Sequence, residues 1–285
     1  MGYREELPYD KGIDNTLSFL NQGYLYITNQ RKRLNRDMFK TRILGGKQVV
    51  CMAGKEAAEV FYDNDKFKRD GAAPSRVLNT LFGQDGVQTL DGEEHAHRKT
   101  MFMDLMTKDS LEEIATLVEK EWMKALPLWE KEEQVVLYDE IKKILTLAVC
   151  QWTGVPTHDQ DIDVLSEQLG DMYESAEKIG FQHIKGKQSR KKVEKWLEKL
   201  IVDIRSDQEI TLKDTPLYKI AMHRDLNNQL LDKHTATVEV LNLLRPTVAI
   251  SVYIALSALA LHSFPEKKEK LKMSDATYQK MFVQE

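Results

Sequence analysis

"VLNLLRPTVAISVYIALSALALH", residues 240–262, decides the fold. Its side chains are almost all apolar and suit a helix, so the stretch reads as a long helix buried at the centre of a mainly α-helical protein. Two residues break the pattern, because Arg245 and Pro246 sit side by side in its interior. A proline inside a helix removes a hydrogen bond and crowds the preceding turn, at a cost of about 3 kcal/mol. A buried arginine is costly unless an anion partners it. Two readings follow. In the first, the helix is kinked and Arg245 pairs with an internal Asp or Glu. In the second, the guanidinium waits at the kink for the head of a long apolar acid, which it would hold bidentately. Pro246 serves the second reading by freeing the carbonyl of Asn242 and opening room for a ligand.

The apolar run from Thr247 to Leu261 is shorter than the roughly 20 residues a bilayer span needs. It is expected to be a core helix, with no stable membrane span. Asp232 is placed to cap this helix. Upstream, Val193, Trp196, Leu197, Leu200, Ile201 and Ile204 share one stripe of a second helix. Ile141, Ile144, Leu145, Ala148, Val149 and Trp152 share a stripe of a third. "SLEE" at residues 110–113 has the form of a capping box and predicts a helix from Ser110 to about Trp129. Near the N-terminus, Asp14 can cap a short helix carrying Leu17 and Leu20 and ended by Gly23. Two β-prone runs around Gly45–Gly46 predict a hairpin. The expected architecture is a single domain over residues 1–285, mainly α with a small N-terminal β-hairpin. The last residues, "YQKMFVQE", are helical in character and reach Glu285 without a Gly, Pro or basic cap. That reads as a chain stopped in mid-helix.

A formal net charge of −4 gives no drive toward nucleic acid. The first twelve residues are charged and lack the apolar core of a signal peptide. Cys51 and Cys150, the two cysteines of the chain, each lie in apolar surroundings. They read as buried thiols in a reducing compartment, which points to the cytoplasm.

Three further stretches could carry chemistry. "DGEEHAHRKTMFMDLM", residues 91–106, gathers His95, His97, Arg98 and Lys99. His95 and Lys99 are four apart and share a helix face, so the cluster is either a solvated face or an anion clamp. His95 and His97 point apart on a helix, which argues against zinc. "FGQDGVQTLDG", residues 82–92, is a Gly-rich loop without a phosphate-binding pattern. Phe82 and Gln88 there are either loop packing or the lid of a pocket. "KGKQSRKK", residues 185–192, reads as a solvated helix entrance, with contact to an anionic membrane or a redox partner as the other reading.

In this order, "DKGIDNTLSFLNQGYLYITNQ", "LFGQDGVQTLDGEEHAHRKTMFMDLMT", "EVLNLLRPTVAIS" and "MFVQE" resemble the bacterial fatty-acid peroxygenases of the heme-thiolate cytochrome P-450 superfamily. The resemblance spans the whole chain, and Arg-Pro in the long helix is its most specific mark. It implies a cytochrome P-450-like fold, incomplete at the C-terminus. It implies heme b as cofactor, long-chain fatty acids as substrates, hydrogen peroxide as oxidant and no required redox partner. In most of the superfamily this helix carries an acid and an alcohol, and Arg245 and Pro246 stand in their place. By the resemblance, Arg245 holds the substrate carboxylate, which then acts as the acid–base group on peroxide. His95 and Lys99 match the H-x-x-x-R that contacts the heme propionates, with Lys for Arg. Gln88 matches a position that is Gln in a hydroxylating member and His in alkene-forming ones. Phe82 matches an aromatic residue near the substrate channel. Glu285 matches the first residue of E-x-x-R, and the axial cysteine is expected beyond it, so no metal ligand lies within the chain. The implied activity is peroxide-dependent hydroxylation of long-chain fatty acids at the α and β carbons, with this chain inactive alone. A fatty-acid decarboxylase forming terminal alkenes is the alternative of the same class. A non-catalytic lipid-binding protein, or a helical interaction domain with Arg245 paired internally, is the alternative of another class.

Overall fold

A computed structural model describes residues 6–176, 178, 180–206 and 213–284. Glu285 lies outside the described residues. The chain forms two compact units, Met1–Lys68 and Arg69–Glu285.

In the first unit, α1 (Thr16–Gln22) and α2 (Leu25–Leu34) precede an antiparallel hairpin of β1 (Met38–Ile43) and β2 (Lys47–Met52), and α3 (Lys55–Phe61) follows. The Gly-Gly prediction holds, since Leu44, Gly45 and Gly46 all take positive φ in the turn. Strand β1 turns Phe39, Thr41 and Ile43 inward. The Tyr26 hydroxyl donates to Asp10 at 2.7 Å and meets Thr41 Oγ1 at 2.9 Å. The Asp14 carboxylate accepts from the backbone N–H of Thr16 at 2.9 Å, at the start of α1.

The second unit is helical. A single turn, α4 (Ser75–Val77), runs into a π-helical segment, Leu78–Phe82. After it come α5 (Gly92–Leu105), α6 (Lys108–Trp129), α7 (Leu137–Thr153), α8 (Ile162–Glu174) and α9 (Phe181–Arg205). The short α10 (Pro216–Ala221) precedes α11 (Lys233–Ala249), α12 (Ser251–Ser263), α13 (Pro265–Lys272) and α14 (Ala276–Gln284). Helix α11 is the centre of the unit and packs on α7, α8 and α9. Both predicted stripes face it: the α7 stripe is buried throughout, and so are Val193, Leu197, Leu200, Ile201 and Ile204 of α9. Asp232 caps α11 as expected, accepting from the backbone N–H groups of His234 at 2.8 Å and Thr235 at 3.3 Å.

Two boundaries differ from the sequence reading. Helix α6 opens at Lys108, because Thr107 takes the cap and accepts from the Ser110 N–H at 3.3 Å. The Ser110 hydroxyl instead accepts from Trp152 Nε1 at 2.9 Å. The long apolar helix is also two helices, broken at Ile250. Pro246 has no N–H for the Asn242 carbonyl, and four residues on the Ile250 N–H closes a short turn onto Thr247 O at 3.2 Å. By length and composition Lys233–Ser263 would also pass as a membrane span. Its first half, however, is buried against other helices, whereas Tyr253, Leu256 and Leu259 of α12 are exposed.

Candidate active site

The site is built on two turns of α11, where Glu239, Asn242 and Arg245 follow one another at intervals of three and so lie close to one face. All are buried. The loop 83–88 approaches this face closely. A Cβ at Gly86 would stand 3.0 Å from Val238 Cγ1 and 3.2 Å from Asn242 Nδ2, and one at Gly83 would collide with Val238 and Arg190. Gly83 also has φ of +82°, so a side chain there would be strained as well as crowded.

Gln88 is thereby brought onto α11, where its Oε1 accepts from Asn242 Nδ2 at 3.2 Å. Asn242 Nδ2 also donates to Glu239 Oε2 at 2.9 Å. Glu239 Oε1 accepts from Arg98 Nη1 at 2.7 Å and from the Val87 backbone N–H at 2.8 Å. Burial raises the Glu239 carboxyl above its ordinary range, against the lowering effect of Asn242, Arg98 and Val87.

Arg245 is 6 % exposed, and no carboxylate among the described residues pairs with it. Its Nε makes no hydrogen bond among them. Burial, and next the positive charge of Arg190, bring its pKa down to about 10. The two alternatives for Arg245 thus separate: internal pairing is absent among the described residues. A cation desolvated this far, with a second cation near it, is poised for an anion.

Arg190 corrects the reading of the basic run. The lysines at 187, 191 and 192 are exposed, but Arg190 is buried. It bonds Glu194 at 2.7 Å and donates to the carbonyls of Leu81 at 3.0 Å and Thr80 at 3.4 Å. It therefore ties α9 to the segment ending in Phe82, which is half-buried beside Gly83.

The "HAHRK" cluster divides by face. Arg98 turns inward with Met101 and Leu105, so it belongs to the buried network. His97 Nε2 meets the Arg224 carbonyl at 2.8 Å. His95, half-buried, and Lys99, exposed, remain on the outer side. Burial lowers the His95 pKa, and the positive charges of Arg69 and Lys99 lower it further. His95 and Lys99, four residues apart on α5, are spaced to meet one anionic group. Cys150 is fully enclosed, and burial pushes its thiol up to about 12. Cys51 is buried too. Burial thus favours the neutral thiol at both positions. No group of three or more His, Cys, Asp or Glu suited to a metal ion occurs among the described residues.

Sequence reasoning missed Glu239, Asn242 and Arg190. A signal existed for the first: an acid set in the apolar run before Arg245 needs a buried partner.

No family model matches the chain. Among solved structures it is similar to cytochrome P450EX alpha (CYP152N1) with myristic acid, at 42 % identity and a TM-score of 0.90, over 94 % of this chain and 64 % of that one. It is similar to cytochrome P450SP alpha (CYP152B1) in complex with (R)-ibuprophen, at 41 % identity and a TM-score of 0.92, over 96 % and 67 %. A variant of the cytochrome P-450 OleT in complex with arachidonic acid matches at 36 % identity and a TM-score of 0.92, over 97 % and 66 %. The chain thus spans about two thirds of the length of these structures.

The buried pair makes a pH prediction. A carboxyl whose pKa is raised above 4.5 by folding binds its proton more tightly folded than unfolded, so stability falls as pH climbs through that window. Arg98→Met removes the cation that opposes the rise. The variant should be destabilised by about 3–5 kcal/mol at neutral pH. Toward pH 4.5 it should regain stability more steeply than the wild type. Denaturant titration at several pH values measures both, and a pH-independent difference would count against the pair.

Proposed function

The chain belongs to the CYP152 family of cytochromes P-450, and on that premise we propose that it binds long-chain fatty acids and serves in their peroxide-dependent hydroxylation at the α and β carbons. The observation that carries this reading is the buried Arg245 without an acid partner among the described residues. Fatty acids are bound in two of the structures similar to it, as myristic acid in cytochrome P450EX alpha and arachidonic acid in OleT.

In this reading each residue has a physical role. Arg245 takes the carboxylate bidentately and fixes the head of the chain. Pro246 leaves the Asn242 carbonyl without its helical donor and bends α11 away, which gives the head group space. The bound carboxylate, desolvated beside a fixed cation, accepts and returns a proton to peroxide, a contribution of about 10²–10⁴-fold in rate for such a group. Gln88, held by Asn242, offers an amide and no titratable proton at the same place, which favours hydroxylation over alkene formation. Phe82 packs along the acyl chain. His95 and Lys99 would hold heme b by its propionates, and heme supplies the redox chemistry when bound. Peroxide brings both oxygen and oxidising equivalents, so no redox partner is needed.

Arg245→Leu in the holoenzyme tests the anchor. Fatty-acid affinity should weaken by about 2–5 kcal/mol, as for a buried charge pair that loses one member, and peroxide-driven turnover should collapse. The unliganded variant should melt no earlier than the wild type, since no protein carboxylate is stranded. An early melt with normal fatty-acid binding would make Arg245 structural and end this reading.

Gln88→His tests the choice of product. Wild-type holoenzyme with a saturated fatty acid and peroxide should give mainly 2- and 3-hydroxy acids, about as expected for an amide at this place that cannot transfer a proton. The variant should raise the share of terminal alkene. Mostly alkene from the wild type would favour decarboxylation instead.

A further inference from the structure

Glu239 is fully buried, and none of the roles above uses it. A carboxylate can only accept hydrogen bonds, whereas an asparagine or glutamine amide can present either end. Because Glu239 Oε2 faces Asn242, the Asn242 amide must turn its NH₂ toward it, and Nδ2 does donate at 2.9 Å. The same Nδ2 reaches Gln88 at 3.2 Å, so Gln88 must present its oxygen there. The Gln88 NH₂ is left as the free end, with no hydrogen bond to another described residue. Asn242 Oδ1 is also left buried, with no partner among the described residues. The direction of two amides is thus set by one carboxylate, whose charge is held by Arg98 at 2.7 Å.

We infer that Glu239 is a positioning residue that sets the donor–acceptor polarity of the pocket, turning Gln88 so that an N–H and not a C=O faces the anion held by Arg245. The inference rests on the proposed role of Arg245. Asn242 lies one turn before Arg245, about 5 Å along the helix, so an anion held by Arg245 would lie on the same helix face as the Asn242–Gln88 pair. An N–H there attracts a carboxylate, and a C=O repels it.

The backbone N–H of Val87 makes the idea testable. It donates to Glu239 Oε1 at 2.8 Å and cannot change sign. If an amide replaces the carboxylate, its oxygen must stay with Val87, and its NH₂ must face Asn242. Asn242 then has to turn over, and Gln88 with it. The variant is the holoenzyme carrying Glu239→Gln together with Arg98→Met. Both charges go at once, so net charge is unchanged and no buried cation is stranded. A saturated long-chain fatty acid and the alcohol of equal length are titrated calorimetrically, with thermal melts alongside.

Affinity for the acid should fall about fivefold, equivalent to one neutral hydrogen bond. Affinity for the alcohol should hold, because a hydroxyl donates and accepts and adapts to either polarity. Equal weakening of both ligands would mean a loosened pocket and would overturn the inference, as would acid binding at wild-type strength. If the double variant melts too early to titrate, Asn242→Ala breaks the relay with the ion pair intact. It should cost the acid about two- to threefold, part of one hydrogen bond, and leave the alcohol unchanged; any other pattern overturns the inference. A wild type that does not prefer the acid to the alcohol removes the reading of Arg245, and this inference with it.

Discussion

The structure turns on a guanidinium that has been taken out of water with no protein anion to receive it among the described residues. Three arginines are buried in the helical unit: Arg98, Arg190 and Arg245. Arg98 faces Glu239, and Arg190 faces Glu194 and two backbone carbonyls. Arg245 has no such partner among the described residues, and Arg190 adds like charge nearby. Desolvating an ion costs several kcal/mol unless another charge answers it. A fold that leaves one such cation unanswered among the described residues, while neutralising two similar ones close by, is the observation on which the proposed anion site rests.

The surroundings follow from that constraint. Helix α11 is wrapped by α7, α8 and α9, which keeps water from screening Arg245. Gly83 and Gly86 let the loop lie directly on α11, where any side chain would crowd Val238. The Glu239–Arg98 pair is neutral as a unit, so it can orient amides without competing for the anion. Helix α5 supplies buried Arg98 to this network, with half-buried His95 one turn before it and exposed Lys99 beside it. In the proposed reading, one element would serve both the fatty-acid head-group site and the heme propionates.

Much of this was legible in the sequence where periodicity or a single chemical oddity carried the information. The stripes on α7 and α9, the Asp232 cap and the Gly45–Gly46 turn depend on local spacing, and each is found. Arg245 and Pro246 stood out because neither belongs in an apolar helix. What failed depended on competition or on distance. Ser110 looked like a cap, yet Thr107 is better placed and Trp152 claims the Ser110 hydroxyl. Arg190 sits among solvated lysines in sequence, and only the fold shows that it turns inward to Leu81. The bond between Asn242 and Gln88 joins residues 154 apart, and no spacing rule reaches that far. Arg98 seemed one of four similar side chains, until the fold buried it against Glu239 while His95 stayed half-buried and Lys99 exposed.

The most direct measurement is a crystal structure of the holoenzyme with a saturated long-chain fatty acid bound. The account predicts the fatty-acid carboxylate on the Arg245 guanidinium, with two N–H···O contacts at about 2.7–2.9 Å, while Glu239 stays on Arg98. A carboxylate head group bound elsewhere, with Arg245 paired to an acid of the protein, would contradict it.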